Sequence, residues 1–204
     1  MKISYALTVC NEFKEIQKLV NFLLLNKREE DEIIILFDYN NGTTEVLDFL
    51  REKSVGEKII FYKERFSNHF ADWKNKLTEY CSGDYIFQID ADEIPHKLLM
   101  INLPIILENN PDHEVYLVPR VNTVEGLTES HIKKWGWQVN DKGWVNYPDY
   151  QYRIWKNKPE IKWKNKVHEV LEGHKNFTSL PSQEELSLYH PKTIERQNEY
   201  YNTL

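Results

Sequence analysis

The sequence predicts an α/β protein built on a mostly parallel sheet flanked by helices. Three observations carry that prediction. Short β-branched runs alternate with amphipathic helical patterns through the first half of the chain. One run, Glu32 to Asp38, is continuously apolar between its ends, as a strand covered on both faces must be. Turn and stop residues, Asn40-Asn41-Gly42 and Ser82-Gly83, fall between these units.

Taken in order, Ser4 to Val9 is the first strand, and Ile16, Leu19, Phe22 and Leu23 at helical spacing predict a helix over Glu12 to Leu25. Glu32 to Asp38 is the second strand. Past the Asn-Asn-Gly turn, Thr43 or Thr44 caps a helix reaching about Lys53. Lys58 to Tyr62 reads as a third strand, Phe70 to Cys81 as a helix, and Asp84 to Ile89 as a fourth strand. Glu114 to Pro119 is a further strand, followed by short strands and loops rich in Trp and Tyr. A final helix begins after Pro191 and contains Ile194 and Tyr201. No internal repeat, low-complexity tract or linker divides the chain, so residues 1–204 are expected to form one domain.

Composition narrows the class. With 204 residues, 41% hydrophobic and 13% aromatic, the chain is large enough to enclose a core without metal or disulfide staples and is not a disordered tail. No stretch approaches the ~20 apolar residues of a membrane span, and Asn11 and Glu12 interrupt the start too soon for a signal peptide. Two cysteines, Cys10 and Cys81, make no disulfide framework, and a cytoplasmic setting is expected. A net charge of -6 argues against a general nucleic-acid binder.

That average hides a local exception. From His131 to Lys166 there are nine basic residues against three acidic ones, a net of +6 that leaves -12 over the rest. Five of the six tryptophans, Trp135, Trp137, Trp144, Trp155 and Trp163, lie in the same segment. It reads either as a solvated basic face over an aromatic mini-core or as a binding surface, since indoles stack on sugars or bases while lysines attract phosphate.

The strongest chemical signal is Ile89-Asp90-Ala91-Asp92-Glu93 directly after a predicted buried strand. Carboxylates at that end of a strand sit where open α/β sheets bind ligands. Unpaired, the three would repel one another. A divalent cation such as Mn²⁺ or Mg²⁺ removes the conflict and bridges substrate phosphates.

Together with Thr8-Val9-Cys10-Asn11-Glu12, Asp38 and Phe70-Ala71-Asp72-Trp73-Lys74-Asn75, this motif resembles a family 2 glycosyltransferase of the GT-A fold. Tyr150 to Trp155 and Val167-His168-Glu169 resemble its lipopolysaccharide-core-type branch. The resemblance covers nearly the whole chain. It implies a metal-dependent, inverting transfer of a sugar from a nucleotide-diphosphate donor, with UDP favoured, onto an acceptor hydroxyl. Residues 1–93 would be the nucleotide-sugar-binding half, and the Trp/Tyr-rich residues 94–204 the acceptor half.

The resemblance also distributes roles. Thr8, Asn11, Glu12 and Asp38 would line the base and ribose, Lys74 would approach the diphosphate, Asp90 would touch the ribose or the metal with Ala91 beside it against the donor, and Asp92 would be the principal metal ligand. His168 and His190 compete as a late metal ligand. Asp149 and Glu169 compete as the base that takes the acceptor's proton, a role favouring a carboxylate with a raised pKa. Trp135, Trp137, Trp144 and Arg153 would contact the acceptor. Simple structural roles remain open: Thr8 and Asn11 also suit a strand end and helix start, and Asp149 a turn. The acceptor is expected to be a saccharide or glycolipid, or a phosphate-bearing molecule such as a modified nucleic-acid base. Two other classes compete: an inactive carbohydrate- or nucleotide-binding module, and a metal-dependent phosphohydrolase.

Overall fold

The structure, a computed structural model, describes residues 1–56 and 58–202, with side chains through 198. In chain order the elements are β1 (Ile3–Val9), α1 (Phe13–Asn26), β2 (Glu32–Asp38), α2 (Thr44–Ser54), β3 (Ile60–Glu64), α3 (Phe70–Glu79), β4 (Tyr85–Asp90), β5 (Ile94–Pro95) and α4 (Lys97–Asn109). They continue with β6 (Val115–Glu125), α5 (Glu129–Trp135), β7 (Val145–Lys156), β8 (Lys162–Lys164), β9 (Val170–Glu172), β10 (Phe177–Ser179), β11 (Leu188–Thr193) and α6 (Ile194–Asn202).

The main sheet runs β3-β2-β1-β4-β7-β6-β11-β5, with β10 also paired to β6. β3, β2, β1 and β4 are mutually parallel. β7 runs antiparallel to both β4 and β6, and β11 returns parallel to β6. The chain winds outward from β1 through β2 to β3, then crosses back to place β4 on the other side of β1. That reversal opens a crevice outside the carboxyl ends of β1 and β4, the place where doubly wound sheets bind ligands.

Two apolar layers cover the sheet. On one face Tyr5, Leu7, Ile33, Ile35 and Phe87 pack with Ile16, Leu19, Val20 and Leu23 of α1 and with Leu99, Leu103 and Leu107 of α4. On the other, Ala6, Ile34, Leu36 and Ile86 pack with Ala71, Trp73 and Leu77 of α3, joined by Trp155, Trp163 and Leu171. Side chains alternate along a strand. Thr8, Asp38 and Asp90, at even offsets from Ala6, Leu36 and Ile86, therefore emerge on the α3 face at the carboxyl ends.

Several elements differ from expectation. β3 starts two residues later than predicted, where its register with β2 begins at Ile34 opposite Ile60. α4 was not foreseen. Its apolar residues lie both toward the core (Leu99, Met100, Leu103, Leu107) and toward solvent (Leu98, Ile101, Ile105), which hides the helical period, and Pro104 sits inside it. The second half holds two long strands beside the short ones expected: β6 has 11 residues and β7 has 12, while β8, β9 and β10 have three each. Pro119 reads as a strand end in sequence and Asp149 as a turn residue, yet Pro119, Pro148 and Asp149 all lie within these strands.

Candidate active site

The crevice is framed by turns that consume their own polar groups. The Glu12 carboxylate accepts from the backbone N–H groups of Cys10 at 2.9 Å and Asn11 at 3.1 Å, which fixes the chain between β1 and α1. Asn11 projects to solvent and Thr8 is half-buried, paired in register with Asp90 across β1 and β4. Asp38, 4% exposed, accepts from the N–H groups of Asn40 and Phe66 and from the Asn41 amide at 2.7 Å. Gly42 closes this turn by donating to the Asp38 carbonyl at 2.8 Å. A Cβ at Gly42 would lie 2.2 Å from the Phe37 ring, so only glycine fits. A cavity of about 480 Å³ opens beside the turn, lined by Phe37, Tyr39, Gly42, Thr43, Leu47 and Lys63, and none of the site carboxylates reaches it.

The acidic motif resolves its repulsion with arginines. Glu93 is fully buried. It accepts from Arg153 Nε at 2.9 Å and Nη2 at 2.7 Å, from Arg120 Nη1 at 3.0 Å, and from the Asp90 N–H at 3.2 Å. Burial alone would raise its pKa, but the Arg153 and Arg120 charges outweigh that and hold it below the ordinary carboxylate range. Arg153 also reaches Asp90 Oδ2 at 2.5 Å. Glu93 thus anchors the motif from beneath, and only Asp90 and Asp92 face the crevice. Ala91, 7% exposed, fills the gap between them.

Asp92 meets His190 from β11. The His190 Nε2 lies 3.3 Å from Asp92 Oδ2, its Nδ1 lies 2.8 Å from Asn122 Oδ1, and Arg196 Nη2 approaches the same Asp92 oxygen at 3.2 Å. Desolvation opposes the charged form of Asp92, but His190 and Arg196 prevail and its pKa is lowered. Among the described residues no cluster of three His, Cys, Asp or Glu side chains is close enough to hold a metal ion. A carboxylate oxygen beside an imidazole nitrogen does suit an ion that takes its remaining ligands from water and substrate phosphates, as Mg²⁺ and Mn²⁺ do. His168 lies apart, exposed and in the left-handed region at φ 54°, in the loop between β8 and β9.

Asp149 sits within β7 opposite Arg120 of β6. Its Oδ2 accepts from Arg120 Nε at 2.9 Å, Arg120 Nη2 at 2.6 Å and Asn122 at 2.8 Å, while among the described residues Oδ1 accepts only from Gln151, at 2.7 Å. Desolvation pushes its pKa up, but Arg120, Asn122 and Gln151 push harder and the net direction is down. The raised pKa expected of a base at this position is therefore absent, because hydrogen-bond donors and the Arg120 charge surround the carboxylate. Glu169 lies elsewhere, 3.5 Å from Lys74 Nζ, and that ammonium lies 4.5 Å from the Trp163 ring centroid. Lys74 and Glu169 thus form a pair on the α3 side, apart from the Asp149 cage.

The aromatic, basic segment divides in two. Trp155 and Trp163 are core residues, 1% and 3% exposed, in edge-on contact beneath α3. Trp144 is buried against Tyr147 with Lys142 over its ring. Trp135 and Trp137 are half-buried, 4.6 Å apart, with His131 stacked on Trp135. They sit in the connection from β6 to β7. Arg153, foreseen at the acceptor, is 3% exposed and committed to Glu93 and Asp90, so it organises the carboxylates from below. Lys142 and Lys158 are paired with Glu184 and Glu114. Lys133, Lys134, Lys162, Lys164 and Lys166 remain exposed.

Arg120, Asn122, Gln151, Lys192 and Arg196 complete the cluster, and none stood out in the sequence. The strands β6, β7 and β11 and the helix α6 that carry them meet the acidic motif only through non-local packing, so no local spacing marks them. The signal available was period two: Arg120 and Asn122, and Asp149 and Gln151, share strand faces.

A 3-2-1-4 parallel core ending in carboxylates, extended by an antiparallel half that brings His190 and Asp149 to the same end, defines a GT-A nucleotide-diphospho-sugar transferase fold. The chain belongs to glycosyl transferase family 2, whose model matches residues 4–172. It is 32% identical over 95 residues to the SPbeta prophage-derived glycosyltransferase SunS of Bacillus subtilis (strain 168), and equally to glycosyltransferase SunS of Bacillus phage SPbeta. These alignments cover 47% of this chain and 21% of each relative. Among solved structures it resembles S. aureus TarS 1-349, with TM-score 0.64 at 15% identity over 94% of this chain and 60% of that one. The same protein in complex with UDP-GlcNAc gives TM-score 0.65 at 15% identity over 94% and 59%. The chain therefore spans about a fifth of the length of the curated relatives and about three fifths of TarS 1-349. No helix of the described residues is long and apolar enough to cross a membrane.

Proposed function

We propose that the chain transfers a sugar from a UDP-sugar to an acceptor hydroxyl with inversion at the anomeric carbon. The observation that carries this reading is the convergence of Asp90, Asp92, His190 and Asp149 at the crevice where the strand order reverses. Family membership and the UDP-GlcNAc complex of TarS support the donor class. In this reading residues 1–93 hold the donor, through Thr8, Asn11, Glu12, Asp38, Lys74, Asp90 and Ala91, and residues 94–204 receive the acceptor. Asp92 and His190 would hold Mn²⁺ or Mg²⁺, which as a Lewis acid supplies charge stabilisation on the departing diphosphate.

Asp149 is the favoured base. Its Oδ2 is saturated by three donors, so Oδ1, turned by Gln151, is the atom left to accept the acceptor's proton. Asp149 is ionised at neutral pH, as a proton acceptor must be, although its lowered pKa makes it a weaker base than the raised value expected from the sequence. Glu169, paired with Lys74, serves the donor side. Trp135 and Trp137 present an aromatic wall for a saccharide acceptor, and the exposed lysines of β8 and α5 suit a phosphate on that acceptor. Assignment to the lipopolysaccharide-core-type branch and to the cytoplasm belongs to the same reading. The experiment is turnover with a UDP-sugar panel, scored as UDP release with and without Mn²⁺. Asp149→Asn is expected to bind donor with wild-type affinity and to lose at least ~100-fold in turnover. Release of phosphate or UMP in place of UDP rejects transfer in favour of phosphohydrolysis, and full turnover by Asp149→Asn rejects the base.

A further inference from the structure

α4 buries Leu99, Met100, Leu103 and Leu107 against the sheet, yet its outward side is apolar too. Leu98, Ile101 and Ile105 are each roughly half exposed. Spaced three and four apart, they form one stripe that Glu108 continues, a 3-4-3 seam of the kind along which helices pair. No charged residue interrupts it between Lys97 and Glu108. The amide alongside, Asn102, donates to the Leu98 carbonyl at 2.8 Å and so turns back onto its own helix. A helix face turned to water ordinarily carries charges, and a run of aliphatic side chains there marks a contact surface.

The end charges identify what covers it. The helix dipole favours acidic residues in the first turn and basic ones in the last. α4 has the reverse: Lys97 opens it, Glu108 stands in its last turn, and neither turn holds a residue of the favoured sign. Neither charge has an ion-pair partner among the described residues. A second α4 laid antiparallel on the first corrects both ends at once. Glu108 of one copy meets Lys97 and the positive helix end of the other, and twofold symmetry repeats the contact. In the same register Ile101 packs against the second copy's Ile105. We propose that α4 is a self-association surface through which two copies of this chain pair antiparallel about a twofold axis. A parallel pair would set Lys97 against Lys97 and Glu108 against Glu108. One basic and one acidic end suit a second copy of opposite polarity and give an anionic lipid surface no net attraction. At 13 residues the helix is about 20 Å long, so the contact is smaller than the ~800 Å² per partner of stable dimers and the pairing is weak and concentration-dependent. α4 packs on the sheet face opposite the one on which Thr8, Asp38 and Asp90 emerge, so the pairing stands independently of the glycosyl-transfer reading.

The test is sedimentation velocity of the full chain at low ionic strength over a concentration series, for wild type, Ile101→Ser, Ile105→Ser, Lys97→Glu, Glu108→Lys and an equimolar mixture of the last two. All four side chains are exposed, so the substitutions leave the core intact. Wild type is expected to move from monomer to dimer as concentration rises. Each serine variant should dimerise at least about tenfold more weakly, because the twofold axis removes the same aliphatic contact twice. Each charge variant sets like charges together at both ends and should weaken pairing about fivefold. The mixture restores it, since each reversed charge then meets its opposite. A wild type that stays monomeric at every concentration overturns the proposal, as does a dimer that both serine variants leave unchanged. Charge variants that pair as well as wild type overturn the antiparallel register. A wild-type monomer that binds phosphatidylcholine vesicles, with binding lost in Ile101→Ser, assigns the stripe to a lipid surface and overturns self-association.

Discussion

Glu93→Gln is the substitution that best exposes how the site is held together. It leaves the volume unchanged and removes one charge from a side chain with no exposure. Wild-type Glu93 accepts from Arg153 through two nitrogens and from Arg120 through one. A glutamine retains one acceptor oxygen and turns a donor toward the guanidinium groups. Arg153, whose side chain is 4% exposed, would keep only Asp90, which is itself one-third exposed. Breaking a buried pair from one side costs about 3–5 kcal/mol, because the remaining charge is left short of compensation. The surviving Asp90 and Asp149 contacts place the expected cost at the lower end, about 3 kcal/mol. For a chain of this size that lowers the melting temperature by roughly 6–12 °C. Urea unfolding followed by circular dichroism measures it directly, and the double variant Glu93→Met with Arg153→Met is expected to lose less than the two single variants together. A Glu93→Gln protein within 1 kcal/mol of wild type would refute the claim that Glu93 is the charged anchor of the motif.

Three further outcomes follow from the same structure. Glu32 binds Lys2, Ser4 and Ser82; burial opposes its charge but these partners win and bring its pKa down to about 2. Its folded value is depressed, so its stabilisation is complete above its ordinary value of 4.5 and is lost as pH falls from there toward 2. Glu32→Gln should cost about 1–3 kcal/mol at pH 7 and almost nothing at pH 2, read from denaturant midpoints. Gly42→Val places a side chain against Phe37 and should destabilise by about 1–3 kcal/mol, with UDP affinity falling alongside because the Asp38 turn shifts; affinity preserved at reduced stability would separate that turn from the donor site. His190→Ala removes the imidazole beside Asp92 and should shift Mn²⁺ activation to at least ~10-fold higher metal concentration, whereas His168→Ala should leave it unmoved; the reverse result assigns the metal to the β8–β9 loop.

The first half of the chain was legible because its information is local. Apolar periodicity, the Thr43 cap and the Ser82-Gly83 stop each act within a few residues, and they place β1 through β4 to within two residues. Asp90 and Asp92 were visible for the same reason, as carboxylates directly after a buried strand. What escaped was long-range. β6 and β7 form an antiparallel pair whose crevice end is filled with polar residues, so nothing in the local pattern distinguishes Arg120, Asn122 and Gln151 from the solvent face of an ordinary strand. Charge counting misled for a related reason. Of the nine basic residues between His131 and Lys166, Arg153 is buried in the site while Lys142 and Lys158 are ion-paired, so the free positive surface is smaller than the net of +6 suggests.

The arginine lattice changes what the acidic motif means. Three adjacent carboxylates invite a cation as their only relief, and the sequence read alone leads there. In the fold, Arg153 and Arg120 neutralise Glu93 and reach on to Asp90 and Asp149, so the motif is already stable without an ion. Any cation would then depend on Asp92 and His190, a weak pair of protein donors that must be completed by substrate oxygens. Metal affinity should accordingly be coupled to nucleotide: each ligand strengthens the other by the same factor, as linkage requires. Titrating Mn²⁺ with and without UDP measures that factor. Tight Mn²⁺ binding in the absence of nucleotide would mean that the arginines do not hold the carboxylates as described.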